Sequence, residues 1–587
     1  MEKRTLLAVV LSVVIIVGGM VLQSVLFPTS APEAPVAQPA ATPQTQPVQV
    51  SSTPVPSAPA SLPVTGSVRP VPEESPVFVN EPIVRETDVF RLVFSRNGGD
   101  LTSIQLKNYK NTDGSFVEMI LSDDSGQNPF GIAFGDYRAD QDHGPFKLTR
   151  DTYDGQGVQI EFTAGLLAPD GVPFELKKTY VFFRGEYLME LRVSVTNSAS
   201  VAPSLNFEGT SYTLGFGPQV GPKFLKLDGR NDYRNFVTFA DGKRKDVRVN
   251  PSSPTIQEQR FTWAGITGKY FTVIAVPDST QYRMVFDTRS GSHGQPRASL
   301  YLMRPSLKSA RTTDTYRFYI GPKKRDILSL YDDPKKNALS IGNLKLGEAV
   351  TSPILIGWLA TLLKWVLEFF YMLIPNFGVA IMLLTLLTKA LFFPMTFKSY
   401  DATARMQSLN PKINEIRERL KNKPERMNQE IAELYKKEKI NPLSGCLPLL
   451  LQMPIFFALY ALLNDYFDLR GAMFLPGWIP DLSVPESIWD FSPVTIPLLG
   501  WQNLRLLPFI MLVTQFLQTK MTQTPDASAS NQQMKIMGYA MPAIFFFILY
   551  DMPSGLVLYW TVQNVLSIIQ QAYINAMRKR KDAAQQQ

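Results

Sequence analysis

The sequence predicts a membrane protein that joins an α-helical bundle in its second half to a large antiparallel β-sandwich domain in its first half. Long apolar runs dominate the chain after residue 350, whereas the residues before about 340 mix polar and apolar side chains. Between about residues 77 and 334, apolar side chains alternate in short runs that Gly, Asn and Asp interrupt, which is typical of antiparallel strands. The length of 587 residues leaves room for several domains.

The composition excludes several kinds of site. The single cysteine, Cys446, excludes an internal disulfide and a cysteine zinc cluster. Both histidines, His143 and His293, precede the apolar half, which therefore has no histidine base or histidine metal ligand. The net charge of +8 forms no basic, aromatic-rich stripe, so we expect no direct nucleic-acid readout. We find no phosphate loop and no Asp/Glu metal cluster in the β-rich half, and we expect no cofactor.

The N-terminal 75 residues predict an anchor followed by a tether. An apolar run from residue 6 to residue 27 follows Lys3 and Arg4 and exceeds the usual signal-peptide core. We expect residues 1–27 to be an uncleaved transmembrane anchor with a cytoplasmic N-terminus, and a cleaved signal is the alternative. Residues 28–75 are rich in Pro, Ala, Gln, Val, Ser and Thr, a composition that predicts a disordered linker.

Residues 76–335 are predicted to form one β-sandwich domain on the far side of the membrane from the N-terminus. We expect residues 327 to about 347 to be helical and to lead out of this domain. The clearest strand signals are DVFRLVFS (88–95), GVQIEFTA (157–164), LKKTYVFF (176–183) and YLMELRVSV (187–195).

Residues 336–375 are interpreted as a linker and an amphipathic helix that lies in the membrane interface. The helix, from about residue 353 to 374, carries Lys364 and Glu368 four positions apart among apolar side chains. If this helix crossed the bilayer, the basic loop 398–440 would fall outside the cell. That loop contains eleven Lys and Arg residues, and short basic loops stay in the cytoplasm, so we expect the helix to lie flat.

The remaining apolar runs predict a core, residues 376–577, with five membrane spans at about 376–396, 441–467, 504–521, 534–552 and 555–576. The loop 398–440 is interpreted as two helices, about 400–420 and 425–439. It is either a cytoplasmic arm that receives incoming chains or a hairpin that only connects two spans. The basic tail 578–587 is expected in the cytoplasm.

The span 376–396 carries a lysine, Lys389, within an almost wholly apolar run. A lone ammonium inside a span costs about 2.5–3.5 kcal/mol on insertion scales. Thr385 lies one turn earlier on the same helical face and Thr388 is adjacent. Two interpretations remain. This polar face lines a hydrated cavity in the bundle, or Lys389 snorkels so that its ammonium reaches the membrane surface.

Two other spans carry polar side chains on one face. Thr514, Gln515 and Gln518 lie on or near one face of the span 504–521. The last span has a stripe at three- and four-residue spacing, formed by Trp560, Gln563, Asn564, Ser567, Gln570 and Gln571. This stripe either holds the bundle together by interhelical hydrogen bonds or faces Lys389 across an aqueous groove.

Three segments of the second half resemble the YidC/Oxa1/Alb3 family of membrane-protein insertases: PKINEIRERL (411–420), NPLSGCLPLLLQMPIFFALY (441–460) and PSGLVLYWTVQN (553–564). The resemblance covers about residues 350–580, and the whole plan resembles the family's Gram-negative bacterial branch. It implies a five-helix insertase core, a β-supersandwich periplasmic domain, and a multi-pass protein of the bacterial inner membrane with cytoplasmic termini.

The same resemblance implies a groove open to the cytoplasm and to lipid. The family's usual arginine falls at Lys389, so the charge is kept while the planar fork of a guanidinium is lost. The family's substrate-contacting positions match Thr385, Tyr559 and Trp560. Implied partners are nascent membrane proteins, the Sec translocon with SecD/SecF-type subunits, the ribosome and the phospholipid bilayer.

We therefore expect insertion of membrane proteins without chemistry, through a groove lined by Lys389 and the polar stripes. An intramembrane hydrolase is an alternative, in which Lys389 acts as general base and Thr385 as nucleophile because no serine shares its turn. A transporter or channel is a second alternative, weakened by the lack of an inverted repeat and of a second buried charge on the facing helices.

Overall fold

The computed structural model describes residues 66–71, 81–111, 113–121, 127–197, 201–217, 219–220, 233–288, 298–350, 357–438, 447–496, 500–522 and 532–585. The predicted anchor 1–27 and most of the predicted linker 28–75 lie outside these residues. The chain divides into two compact units, Met1–Thr351 and Ser352–Gln587, and each is described by itself.

The first unit is built from antiparallel strands, as the alternating pattern predicts. Each of the four quoted runs overlaps a strand. In chain order the strands are β1 Arg69–Pro70, β2 Ile83–Glu86, β3 Phe90–Ser95, β4 Asp100–Lys110, β5 Phe116–Glu118, β6 Ile120–Leu121, β7 Ile132–Ala133, β8 Lys147–Asp154, β9 Gly157–Leu167, β10 Pro173–Phe183, β11 Leu188–Thr196, β12 Thr210–Phe216, β13 Gln219–Val220, β14 Asn235–Ala240, β15 Lys243–Val247, β16 Thr255–Gln257, β17 Trp263–Thr267, β18 Phe271–Val276, β19 Arg283–Asp287, β20 Ser299–Pro305 and β21 Arg311–Pro322.

Ten of the described strands form one large sheet, in the order β1-β9-β10-β11-β21-β18-β17-β14-β15, with β8 also paired to β9. Further sheets have the orders β16-β19-β20-β12-β7 and β2-β3-β4-β5, and β13 pairs with β6. All of these pairings are antiparallel. The fold class predicted for the first half is thus confirmed.

An inward-facing lysine interrupts the apolar pattern of β10. Lys178 alternates with Leu176 and Tyr180, and its side chain is fully buried. It donates hydrogen bonds to Asp100 of β4 and to the backbone oxygens of Gly98 and Phe130. A buried charge needs such partners, because desolvation of an unpaired ion is costly.

The expectation of a helix from residue 327 to about 347 is wrong. Only a four-residue helix, α1 Arg325–Leu328, and two 3₁₀ turns, Ser329–Asp332 and Leu346–Ala349, are present there. Ser340, Asn343 and Lys345 adopt positive φ angles, which an α-helix does not allow. Asp333 precedes a proline, and its extended backbone ends the helical path.

The second unit is mainly helical. Its helices are α2 Gly357–Leu373, α3 Phe377–Ser408, α4 Asn410–Arg419, α5 Pro424–Lys437, α6 Leu447–Asp465, α7 Leu506–Thr522, α8 Gln532–Leu549 and α9 Ser554–Gln585. Two short strands, β22 Trp489–Asp490 and β23 Asn503–Leu504, pair between α6 and α7.

The helix α3 differs most from its predicted bounds. It continues past residue 396 to Ser408, so the first hairpin helix predicted at 400–420 is divided. The break falls before Pro411, which lies in the first turn of α4, where its missing N–H removes no helical hydrogen bond. Residues 439–446, which include the start of the span predicted at 441–467, lie outside the described part.

Within the described residues, one helical segment, Phe377–Phe397, is long and apolar enough to cross a bilayer. Shorter apolar segments are Gln452–Asn464, Leu506–Met521 and Ala540–Leu549. The helix α9 packs against α3 and α7, and α2 packs against α3 and α6. These contacts enclose an apolar core to which α2, α3, α6, α7, α8 and α9 contribute.

Candidate functional site

Lys389 lies on the face of α3 that α9 covers, with 8% of its surface exposed. Its ammonium donates a hydrogen bond of 2.7 Å to the hydroxyl of Ser567 on α9. Among the described residues, no carboxylate forms an ion pair with this ammonium. A neutral hydroxyl is therefore the hydrogen-bond partner that the described part of the bundle provides for a buried cation.

The two threonines near Lys389 bond to their own helix. The Thr385 hydroxyl donates to the Ile381 carbonyl at 2.6 Å, and the Thr388 hydroxyl donates to the Thr385 carbonyl at 2.9 Å. Thr385 is fully buried, while Thr388 is partly exposed. Both hydroxyls thus donate to backbone carbonyls of α3, and the described contact of the Lys389 ammonium is with Ser567 rather than with either threonine.

The polar stripe of α9 faces the inside of the bundle. Gln563, Asn564 and Ser567 are each less than a tenth exposed, and so are Gln570 and Gln571. Three of these side chains contact neighbouring helices. On α3, Ser567 contacts Lys389 and Gln570 donates to Thr396 at 2.8 Å. On α7, Thr514 lies 3.4 Å from Asn564.

The three polar side chains predicted on one face of α7 differ in their contacts. Thr514 meets Asn564, whereas the buried oxygen of Gln515 has no hydrogen-bond partner among the described residues. Gln518 is partly exposed and is engaged in contacts of its own. The structure therefore places Lys389, Ser567 and Asn564 along one polar seam between α3, α9 and α7, and no described contact joins Gln515 or Gln518 to Lys389.

Several buried polar atoms on α7 and α9 have no partner among the described residues: the side-chain oxygens of Gln515, Gln563 and Gln571 and the indole nitrogen of Trp560. Buried polar groups in folded proteins are almost always hydrogen-bonded, to protein or to water. These four groups belong to α7 and α9, and the described residues supply no hydrogen-bond partner for them.

Tyr559 and Trp560 occupy different environments. Tyr559 is buried within the apolar core of the unit. The ring of Trp560 lies 5.0 Å from that of Phe456 on α6 and 5.1 Å from that of Phe545 on α8. Trp560 thus contacts rings of two neighbouring helices, and its indole N–H has no hydrogen-bond partner among the described residues.

Sequence reasoning missed two features of this site. Thr396, seven positions after Lys389, lies on the same helical face and binds Gln570, and that spacing was a usable signal. The statement that no serine accompanies Lys389 holds only along α3, because Ser567 reaches it from α9. The Ser567 hydroxyl donates to the Gln563 carbonyl at 2.8 Å, so its proton is not directed at Lys389 as a serine–lysine nucleophile requires.

Comparison with known families covers most of both units. Residues 369–582 match the family described as 60Kd inner membrane protein, and residues 83–350 match the YidC periplasmic domain.

Similar proteins align along nearly the full length. The membrane protein insertase YidC of Treponema denticola is 38% identical, over 99% of this chain and 100% of the relative. The same-named protein of Geobacter metallireducens is 33% identical, over 98% of each chain. A crystal structure of an active YidC insertase covers 87% of this chain and 94% of its own at 18% identity, with a TM-score of 0.36.

Proposed function

This chain belongs to the YidC family of membrane-protein insertases, and from that premise we propose that it inserts newly made membrane proteins through a polar groove that holds Lys389. Relatives across this family are named as insertases, and the family is not enzymatic. The hydrolase alternative is therefore set aside.

The observation that carries the proposal is the burial of Lys389 against a neutral hydroxyl. An ammonium at the centre of a span costs about 2.5–3.5 kcal/mol. One hydrogen bond to a charged group returns only about 1.5–3 kcal/mol. No carboxylate among the described residues pairs with this lysine. A functional role of its positive charge therefore explains its position better than a contribution to the stability of the bundle.

The polar atoms of Gln515, Trp560, Gln563 and Gln571 that have no partner among the described residues support a hydrated groove. Water completes the bonding of such groups, and a polar wall shortens the apolar distance that a hydrophilic segment must cross. An acidic tail in this groove would be attracted to Lys389, and the hydrophobic helix that follows it would leave sideways into lipid, driven by burial of apolar surface.

Coulomb's law gives the strength of the attraction between an acidic tail and the Lys389 ammonium. A tail carboxylate about 6 Å from the ammonium gains about 3 kcal/mol at an effective dielectric constant of about 20, which is about a hundredfold in equilibrium. In bulk water the same pair gains only about 0.7 kcal/mol, or about threefold. The size of the charge effect therefore reports how water-like the groove is.

The proposed orientation follows from charge. The hairpin α4–α5 lies within the basic segment 398–440, which we propose to be cytoplasmic together with both termini. The β-rich unit, which matches the YidC periplasmic domain, would then lie outside the inner membrane. The domain bounds expected from the sequence remain proposals, as do the ribosome and the Sec translocon with SecD/SecF-type subunits as partners.

The test is a charge swap in proteoliposomes without an imposed membrane potential, which removes the electrical work on the tail. Substrates of one transmembrane segment carry tails with two Asp, two Lys or no charge, and protease protection measures tail transfer. Lys389→Glu should reduce transfer of the Asp tail by about a hundredfold or more and improve transfer of the Lys tail.

Lys520→Glu serves as the matched control, since Lys520 is an exposed lysine at the end of α7. It should leave the tail preference unchanged. Undiminished transfer of the Asp tail by the Lys389→Glu protein would refute the electrostatic role.

A further inference from the structure

The helix α2 has three distinct faces. Leu363 and Leu367 are buried against the core of the second unit. A second face is apolar but exposed, with Trp358, Leu362, Trp365, Phe369 and Met372 at helical spacing. The third face carries Lys364, Glu368 and Tyr371. An exposed aromatic and aliphatic stripe of this size is typical of a surface that contacts lipid.

The polar face of α2 borders an open cavity of about 520 Å³. The cavity is lined by Glu368, Tyr371, Phe377, Tyr466, Phe467, Asp468 and Arg470. These residues come from the end of α2, the start of α3 and the segment after α6. Because the hairpin joins the other ends of α3 and α6, the cavity lies at the end of the bundle opposite the hairpin.

Aromatic rings and carboxylates converge in this cavity. The Tyr371 and Phe377 rings stack at 4.0 Å, and Tyr466 meets Phe377 edge-on at 5.9 Å. The Tyr466 hydroxyl donates to one oxygen of the Glu368 carboxylate at 2.8 Å, so a carboxylate and an aromatic side chain meet in this cavity. Aromatic faces next to carboxylates are a favourable environment for an ammonium group.

The chain itself places an ammonium at the edge of this environment. Lys364 Nζ lies 5.3 Å from the centre of the Tyr466 ring and 3.5 Å from Glu368. Its side chain is 45% exposed, so the ammonium lies at the rim rather than inside the cavity. Arg470 adds a guanidinium, whose fork suits phosphate oxygens.

We propose that this cavity binds the headgroup of an amine-bearing zwitterionic phospholipid, with its acyl chains lying along the exposed apolar stripe of α2. The lipid ammonium binds among Glu368, Tyr466 and the neighbouring rings, and its phosphate binds Arg470 or Lys364. The two cations and the two carboxylates, Glu368 and Asp468, balance each other. A balanced site favours a zwitterionic headgroup over an anionic one.

Native mass spectrometry of the full-length protein in detergent tests this proposal. The protein is titrated with phosphatidylethanolamine and phosphatidylglycerol of identical acyl chains, and the bound fractions are compared. We expect the ethanolamine lipid to bind about fivefold or more tightly than the glycerol lipid, as one added charge-assisted contact provides. Glycerophosphoethanolamine without acyl chains should compete, which separates headgroup binding from partitioning.

Two variants locate the site. Glu368→Gln removes the carboxylate charge, and Tyr466→Phe removes the hydroxyl that orients it, so each should abolish the preference for ethanolamine lipid. Glu433→Gln is the matched control, because Glu433 is exposed on the hairpin helix α5 and should keep the preference. Equal binding of both lipids by the unaltered protein, or an unchanged preference in both cavity variants, would overturn the proposal.

Discussion

Replacing Lys389 by methionine should separate stability from function. Methionine is unbranched and one atom shorter than lysine, and it carries no charge, so it removes the buried ammonium with little change in volume. If the lysine stabilises the bundle, the substitution lowers the free energy of unfolding. If the lysine instead interacts with the substrate, the free energy of unfolding is kept and insertion is lost. Proteins commonly give up stability at functional sites, which makes this contrast informative.

The expected magnitude follows from the surroundings of Lys389. Its 8% exposure and its bond of 2.7 Å to Ser567 describe a largely desolvated cation with one neutral partner in the part of the chain that the structure describes. Removing it relieves a cost of about 2.5–3.5 kcal/mol and forfeits a hydrogen bond worth about 1.5–3 kcal/mol. The free energy of unfolding should therefore stay within about 1 kcal/mol or rise by up to about 2 kcal/mol.

Two measurements on the purified full-length protein check this prediction. Thermal or denaturant unfolding in lipid nanodiscs reports stability, and tail transfer into proteoliposomes reports insertion of an acidic-tailed substrate. We expect tail transfer to fall by about tenfold to a hundredfold while stability is kept. A loss of more than about 2 kcal/mol in stability would refute the reasoning, because it would assign Lys389 to holding α3 against α9.

Ser567→Ala provides a companion measurement of hydration. In a dry seam, Lys389 would lose the partner described for it, at a cost of about 1–3 kcal/mol. In a hydrated groove, water replaces the hydroxyl and the cost falls below about 1 kcal/mol. We expect the smaller value, with acidic-tail insertion largely retained.

Two further predictions concern groups outside the groove. Lys178→Ala leaves Asp100 as an uncompensated buried charge and should lower the free energy of unfolding by about 3–5 kcal/mol, whereas Lys177→Ala, a partly exposed neighbour, should cost less than about 1 kcal/mol. Equal losses in the two variants, measured by unfolding of the full chain, would contradict this assignment. Burial raises the pKa of Glu486, whose carboxylate accepts a hydrogen bond from the Leu507 backbone. The folded protein then holds a proton that the unfolded chain releases, so stability should fall as pH rises from about 4.3 through the raised pKa. Glu486→Gln should flatten the dependence of the unfolding midpoint on pH, and an unchanged slope would exclude this carboxyl as its source.

Local patterns predicted much of the architecture. The alternation in LKKTYVFF anticipated β10, and the apolar run at 376–396 anticipated the start of α3. These predictions succeed because side-chain alternation and apolar length act within one segment. The helix expected at residues 327–347 failed because turn residues and positive φ angles, rather than apolar periodicity, decide that segment.

The candidate site likewise combines features that local sequence predicts with features that depend on tertiary packing. The polar faces of the last span and of α3 followed from three- and four-residue spacing. Gln563 and Ser567 were expected on an inward face, whereas Lys389 was expected either to line a cavity beside Thr385 or to reach toward the membrane surface. Which side chains meet depends on the rotation and depth of packed helices, a property of no single segment. The contact of Lys389 with Ser567 and the bond between Gln570 and Thr396 are of this kind.

The amino-acid sequence by itself determined which segments are apolar, which alternate and which faces carry polar groups, because these properties depend only on neighbours along the chain. Only the tertiary structure decided that Lys389 of α3 is buried against a serine 178 positions away, and that the ends of α2, α3 and α6 enclose a cavity of mixed charge. Those outcomes follow from how helices pack in space, where residues distant in sequence compete for the same partners.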